Sequence, residues 1–179
     1  MSKKTSSESH FEEFCSSNRL AFERIPEGTE PAPDYRITLH GIDVYVEVKQ
    51  IDEDAAFTSA YASRTPGSHI RAKINEARNQ VRSAADRGAP TILLVYNNLD
   101  QLQLFGTEQH DFLAAMYGDL TVLVSRGTGK ISDSFHGRNK SFREDKNNNF
   151  SAVGWLHRGQ SGVAVHLYEN IHASVVLRN

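Results

Sequence analysis

The chain has 179 residues, of which 39% are hydrophobic and 23% charged, with a formal net charge of -2 at pH 7. That length fits one principal domain, with enough apolar material for a core and too little net charge for wholesale disorder. A single cysteine, Cys15, excludes an internal disulfide framework and a Cys-rich zinc site.

Residues 1 to 8 are polar and read as a flexible leader, without the apolar run of a signal peptide. Nowhere do eighteen apolar residues occur in succession, so a soluble, cytoplasmic protein without a membrane partner is expected. A short helix is expected over 9 to 18, where Phe11, Phe14 and Cys15 share one face. A strand over 20 to 25 gives way to IPEGTEPAP, whose prolines and glycine preclude a regular element. Two strands follow, YRITLH and IDVYVEVKQ, around a turn at His40-Gly41. In the second, Val44, Val46 and Val48 alternate with Asp43, Tyr45, Glu47 and Lys49, as two faces of one strand require.

From 52 to 68 the pattern dissolves into acidic, small and Pro-Gly residues, which read as an insertion or lid. A helix over 69 to 87 then carries the apolar stripe Ile70, Ile74, Ala77, Val81 and Ala84 or Ala85, closed by Gly88 and Pro90. TILLVYNN suggests a central strand covered on both faces. A helix over 108 to 117 and a strand over 120 to 125 come next. Residues 126 to 149 read as loop, and SAVGWLH, GVAVHLYEN and ASVVLRN as three late strands. The expected fold is α/β, a mixed sheet flanked by helices with additional C-terminal strands.

The near-neutral total hides segregated charge. Residues 8 to 54 are about -8, residues 64 to 87 about +4, and residues 126 to 146 about +3. Acids gathered in one segment suit a metal site, and bases in another suit phosphates. Each is equally a solvated face until geometry separates the two.

The densest chemistry lies in PDYRITLHGIDVYVEVKQ. Glu47 and Lys49 are two apart on a strand and share a face. A hairpin through His40-Gly41 brings Asp34 beside the end of the strand that bears Glu47. Two carboxylates meeting there form a hard oxygen site suited to Mg²⁺, with the Val48 carbonyl as a third ligand. A lysine beside such a site can orient or help deprotonate a water and stabilise charge on a phosphate. Alternation alone is equally satisfied by a wet strand face carrying an ordinary Glu-Lys pair.

Pro33-Asp34 and Glu47-Val48-Lys49 resemble the two elements of the PD-(D/E)xK nuclease superfamily, the restriction-endonuclease-like fold. The similarity spans residues 9 to 97, about half the chain, with the C-terminal extension 98 to 179 outside it. It implies a single nuclease-like domain over 9 to 179 in which Asp34 and Glu47 bind Mg²⁺, or Mn²⁺ as a substitute, and Lys49 assists hydrolysis. An acidic residue from the first helix completes such sites. Glu12 is the first choice here, with Glu13 and Glu8 as rivals. The family also places a polar residue on the helix after the ExK strand, which Gln80 fits best, with Lys73 on nearly the same face. Gln50 and Tyr61 are further substrate-contact candidates. The activity implied is a metal-dependent nuclease, DNA preferred over RNA and endonuclease over exonuclease, as a homodimer or part of a larger assembly. The alternative is a catalytically inactive nucleic-acid- or protein-binding module of the same fold.

Arg71, Arg78 and Arg82 recur on one side of the second long helix and are candidate phosphate contacts. GTGK at 127 to 130 lacks the rest of a phosphate-binding loop, since Lys130 is followed by Ile131. Trp155 and Tyr168 read as packing residues of the late strands.

Overall fold

The computed structural model describes residues 4–52, 65–99 and 102–177. In chain order these form α1 (Ser6–Ser17), β1 (Phe22–Arg24), β2 (Tyr35–Leu39), β3 (Ile42–Ile51), α2 (Ser68–Asp86), β4 (Thr91–Asn97), α3 (Gln109–Tyr117), β5 (Leu120–Val124), β6 (Ile131–His136), β7 (Ala152–Gly159) and β8 (Gly162–Glu169). The principal sheet has six strands in the order β1-β2-β3-β4-β7-β8, and β5 and β6 form a separate two-stranded sheet. The pairs β1/β2, β2/β3 and β7/β8 are antiparallel, whereas β3/β4 and β4/β7 are parallel. The chain is therefore α/β with a mixed sheet, as its sequence led one to expect.

Every residue of β4 is buried, as its unbroken apolar run requires of a strand covered on both faces. One face packs on α1: Val44, Val46, Val48, Ile92, Leu94 and Leu156 meet Phe11 and Cys15. The other packs on α2 and α3, where Ile51, Leu93, Val95 and Val153 meet Ile70, Ile74, Val81 and Phe112. The expected stripe of α2 is the buried one, from Ile70 to Ala85. Burying each of its Ile and Val side chains contributes about 1.5–3 kcal/mol.

Local chemistry fixes the ends. Thr5 Oγ1 accepts the Glu8 amide hydrogen at 3.2 Å and Glu8 Oε2 accepts the Thr5 amide hydrogen at 2.7 Å. This capping box starts α1 at Ser6, so the expected leader surrenders its last three residues to the helix. At the β2–β3 turn His40 and Gly41 have φ of 49° and 79°, the pair of left-handed residues that a two-residue hairpin loop demands.

Two expectations fail in the C-terminal half. The stretch 126 to 149 contains β6, a strand formed by pairing with β5 rather than by burying a face, which its weak alternation did not signal. Residues 173–177 form no strand. They dock on the preceding loop instead, where the Ser174 amide donates to the Asn148 carbonyl at 2.7 Å. The strands β7 and β8 complete the principal sheet, so its core extends well past residue 97. Of the expected insertion, residues 53–64, including Tyr61, lie outside the described residues. Among the described residues no helix is long and apolar enough to cross a membrane.

Candidate metal centre

The β2–β3 register pairs Tyr35 with Val46, so β3 runs on past the end of β2. Asp34 stands at that end and fills the gap with its side chain: Oδ2 accepts the Val48 amide hydrogen at 2.8 Å. A residue's N–H and C=O project to the same edge of a strand, so the Val48 carbonyl points to this same open side. Tyr35 and the β3 valines turn toward α1, and alternation turns Asp34, Glu47 and Lys49 toward α2. The result is a cleft of about 190 Å³ lined by Asp34, Glu47, Lys49 and Gln80, with the segment from Ile25 to Pro33 as its outer wall. The four residues singled out on strand and helix thus share one cavity.

Glu47 is 1% exposed. Its Oε1 lies 2.7 Å from Lys49 Nζ, while Oε2 is buried and has no hydrogen-bond partner among the described residues. Burial and the adjacent Asp34 charge push its carboxyl up to about 7, against the pull of Lys49. Asp34 is also raised by burial, with the Val48 amide and Lys49 opposing. Burial disfavours the Lys49 ammonium, but the charges of Glu47 and Asp34 outweigh it and hold its pKa above the ordinary value. An isolated buried carboxylate oxygen is costly. Here it belongs to a carboxyl close enough to feel the Asp34 charge, at an open strand end. Orphaned Glu47 Oε2, the free valence of Asp34 and a backbone carbonyl are hard oxygen donors that fit a divalent cation such as Mg²⁺.

Neither Glu8 nor Glu12 lines this cleft, because α1 packs on the opposite face of the sheet, but Glu8 is the one whose charge reaches Asp34. Glu8 is buried, and its charge is among those acting on Asp34. Its Oε1 pairs with Arg24 Nη2 at 2.5 Å, an arginine that sequence reasoning passed over. Glu12 instead accepts the Tyr35 hydroxyl at 2.9 Å and pairs with Lys4 at 2.6 Å. Burial works against the Glu12 charge, but these two bonds prevail and lower its pKa. Glu13 turns away to Arg158 at 2.7 Å. Gln50 anchors α1 to β3, its Oε1 accepting the Ser7 amide hydrogen at 3.0 Å.

At 100° per residue, Lys73, Gln80, Ser83 and Arg87 lie on one flank of the α2 stripe and Arg71, Arg78 and Arg82 on the other. Only the first flank meets the cleft. Turned to satisfy its donors, the Gln80 amide nitrogen bonds the Glu76 carbonyl oxygen at 2.7 Å. Lys73 pairs with Glu76 at 2.9 Å. Arg71 is occupied by the fold: it donates to the carbonyls of Pro66 at 2.6 Å and Ala114 at 2.9 Å, and lies 3.4 Å from Asp119. Arg78 and Arg82 are exposed on the flank away from the cleft, and Asn149 bonds the Arg78 carbonyl at 3.2 Å. The arginine row therefore does not border the carboxylates. The shared spacing that grouped the three arginines carries no information about which flank faces the site.

The outer wall was legible only as irregular chain. On its far side it bounds a second cavity of about 420 Å³, lined also by Arg36, Tyr45, Ser83 and Arg87. Elsewhere Glu108, His110 and Asp111 cluster at the start of α3. Their geometry is that of a cap: Asp111 accepts the amide hydrogens of Gly67 at 2.8 Å and Glu108 at 3.2 Å.

Comparison with protein-family models, with curated proteins and with solved structures finds no match to this chain.

Proposed function

We propose that the protein is a metal-dependent nuclease of restriction-endonuclease-like fold, cleaving phosphodiester bonds of DNA as an endonuclease in the cytoplasm. One observation carries the reading: Asp34, Glu47, Lys49 and Gln80 line a single cleft in which a buried carboxylate oxygen has no partner among the described residues. The order α1, β1 to β3 antiparallel, α2, then β4 parallel to β3 supports the fold assignment. The preference for DNA rests on the resemblance of the Pro33-Asp34 and Glu47-Val48-Lys49 elements.

Asp34 and Glu47, with the Val48 carbonyl, would hold Mg²⁺, with Glu8 behind Asp34 adding negative charge. The bound ion supplies Lewis acidity at a phosphoryl oxygen and acidifies a coordinated water. Lys49 stays an ammonium near neutrality because Glu47 and Asp34 outweigh the effect of its burial, so it donates rather than accepts protons. Its work is to orient the attacking water and to stabilise charge developing on the phosphate. Glu47, through its 2.7 Å contact, fixes where the ammonium sits. Gln80 stands on the α2 wall with its amide nitrogen bonded to the Glu76 and Ala77 carbonyls, which leaves a neutral carbonyl oxygen able to accept a hydrogen bond from a water.

The deciding assay incubates purified protein with supercoiled and linear DNA, in Mg²⁺, Mn²⁺ or EDTA. Nicking or linearisation of the circle that EDTA abolishes is the expected result. Tight DNA binding with no cleavage in either metal would replace this reading by that of an inactive binding module.

A further inference from the structure

The segment from Ile25 to Pro33 walls two cavities, the carboxylate cleft and the one of about 420 Å³ on its far side. The two follow one another along the same pair of elements. On β3, Tyr45 lies two residues before Glu47, about 6.8 Å back along the same face. On α2, Ser83 and the C-cap residue Arg87 continue the flank that carries Gln80.

The second cavity differs from the cleft in chemistry. It is lined by the half-buried Tyr45 ring, with the Arg87 guanidinium carbon 5.7 Å from the ring centroid. Arg87 is exposed and has no carboxylate partner among the described residues. Arg36, the cross-strand neighbour of Tyr45, is held by Glu23 at 2.5 Å and Asp43 at 3.3 Å. Glu30 lies on the shared wall, so the charges around the cavity are Glu23 and Glu30 against Arg36 and Arg87. That balance disfavours a phosphate as occupant and suits an uncharged ring with polar edges. An aromatic face beside a planar guanidinium is a platform on which nucleobases stack.

We propose that this cavity receives the base of the nucleotide next to the phosphate held in the cleft, turned out of its stack onto Tyr45, with Arg87 moving to its outer face. The inference rests on the nucleic-acid substrate proposed above and adds that the strand is unpaired at this nucleotide. The volume is that of a site for one small ligand. A base still paired would bring its partner and its stacked neighbours with it, and only an extruded or single-stranded one enters.

The test is fluorescence anisotropy of a labelled oligothymidylate with the full chain in Mg²⁺, on a Lys49→Ala background so that the strand outlasts the measurement. Tyr45→Leu should weaken binding at least about fivefold and Tyr45→Phe should not, with melting unchanged in both. Arg87→Gln should weaken it about two- to fivefold. An abasic strand of the same length should bind the Tyr45 and Tyr45→Leu proteins alike, and a fully paired duplex should bind more weakly than the single strand. No effect of Tyr45→Leu, or an equal loss on the abasic strand, overturns the proposal, as does a duplex bound as tightly as the single strand. Plasmid nicking by the chain with Lys49 intact is scored separately. Nicking with Tyr45 inert in binding sinks the base site alone, whereas base-dependent binding through Tyr45 without any nicking upholds the base site and sinks the nuclease reading.

Discussion

The Asp34 carboxylate accepts the Val48 amide hydrogen at 2.8 Å, standing in for the strand partner that β3 lacks once β2 has ended. One oxygen of a candidate metal ligand thus also completes the sheet. Asp34→Asn retains an acceptor for Val48 and should stay within about 1 kcal/mol of wild type. Asp34→Ala leaves that buried amide unsatisfied and should cost about 1–3 kcal/mol. Both should abolish Mg²⁺-dependent cleavage. Urea unfolding and plasmid nicking read the two effects separately, and an Asn variant that cleaves like wild type would refute the assignment.

Glu47 gives a pH signature. Its carboxyl rises from an ordinary 4.5 to about 7 on folding, through burial and the Asp34 charge. Between those values the folded protein keeps a proton that the unfolded chain has released. Stability without metal therefore falls as pH rises through that window, and the deficit is complete above about 7, at roughly 3 kcal/mol. Glu47→Gln should remove this pH dependence and raise the melting temperature at mildly alkaline pH. Added Mg²⁺ should stabilise wild type there and leave Glu47→Gln unmoved. Equal Mg²⁺-induced shifts in both proteins would exclude Glu47 as a ligand.

Lys49 should separate from the ligands in kinetics. Lys49→Ala should lower kcat by about 10²–10⁴ while retaining the Mg²⁺-induced thermal shift. Lys49→Arg keeps the charge and should recover part of the rate. Loss of the thermal shift in the Ala variant would mean that the lysine acts by organising the carboxylates rather than on the phosphate.

Arg71 and Arg78 should behave oppositely despite their shared spacing. Arg71→Ala strips donors from the Pro66 and Ala114 carbonyls and should cost about 2–3 kcal/mol in equilibrium unfolding. Arg78→Ala and Arg82→Ala should each fall within about 0.5 kcal/mol of wild type, with cleavage unchanged. A strong loss of DNA cleavage in either would show that substrate crosses α2 to its far flank.

The elements with a buried face were legible because burial writes itself as periodicity. The α2 stripe, the valines of β3 and the apolar run of β4 each stood in the sequence at the spacing the core requires. The carboxylate pair was legible because a short hairpin and a two-residue offset leave few places for Asp34, Glu47 and Lys49 to go. Glu8 was harder to single out. Its choice over Glu12 depends on a capping box that adds a turn to α1, and on Arg24, which is sixteen residues distant and reaches it only in the folded chain. The segment from Ile25 to Pro33 carried no period to read, although it walls the cleft. The ribbon β5–β6 escaped for the converse reason: with no face against the core, β6 carries little alternation.

The His40-Gly41 turn lies far along β3 from the cleft, yet it decides which side chains of β3 face the site. Because side chains alternate, a one-residue slip at that turn would exchange the two sides of β3. The valines would then line a greasy, inert groove, and Glu47 and Lys49 would be driven against Phe11 and Cys15. Two left-handed residues outside the cleft thus act as the parity bit of the centre.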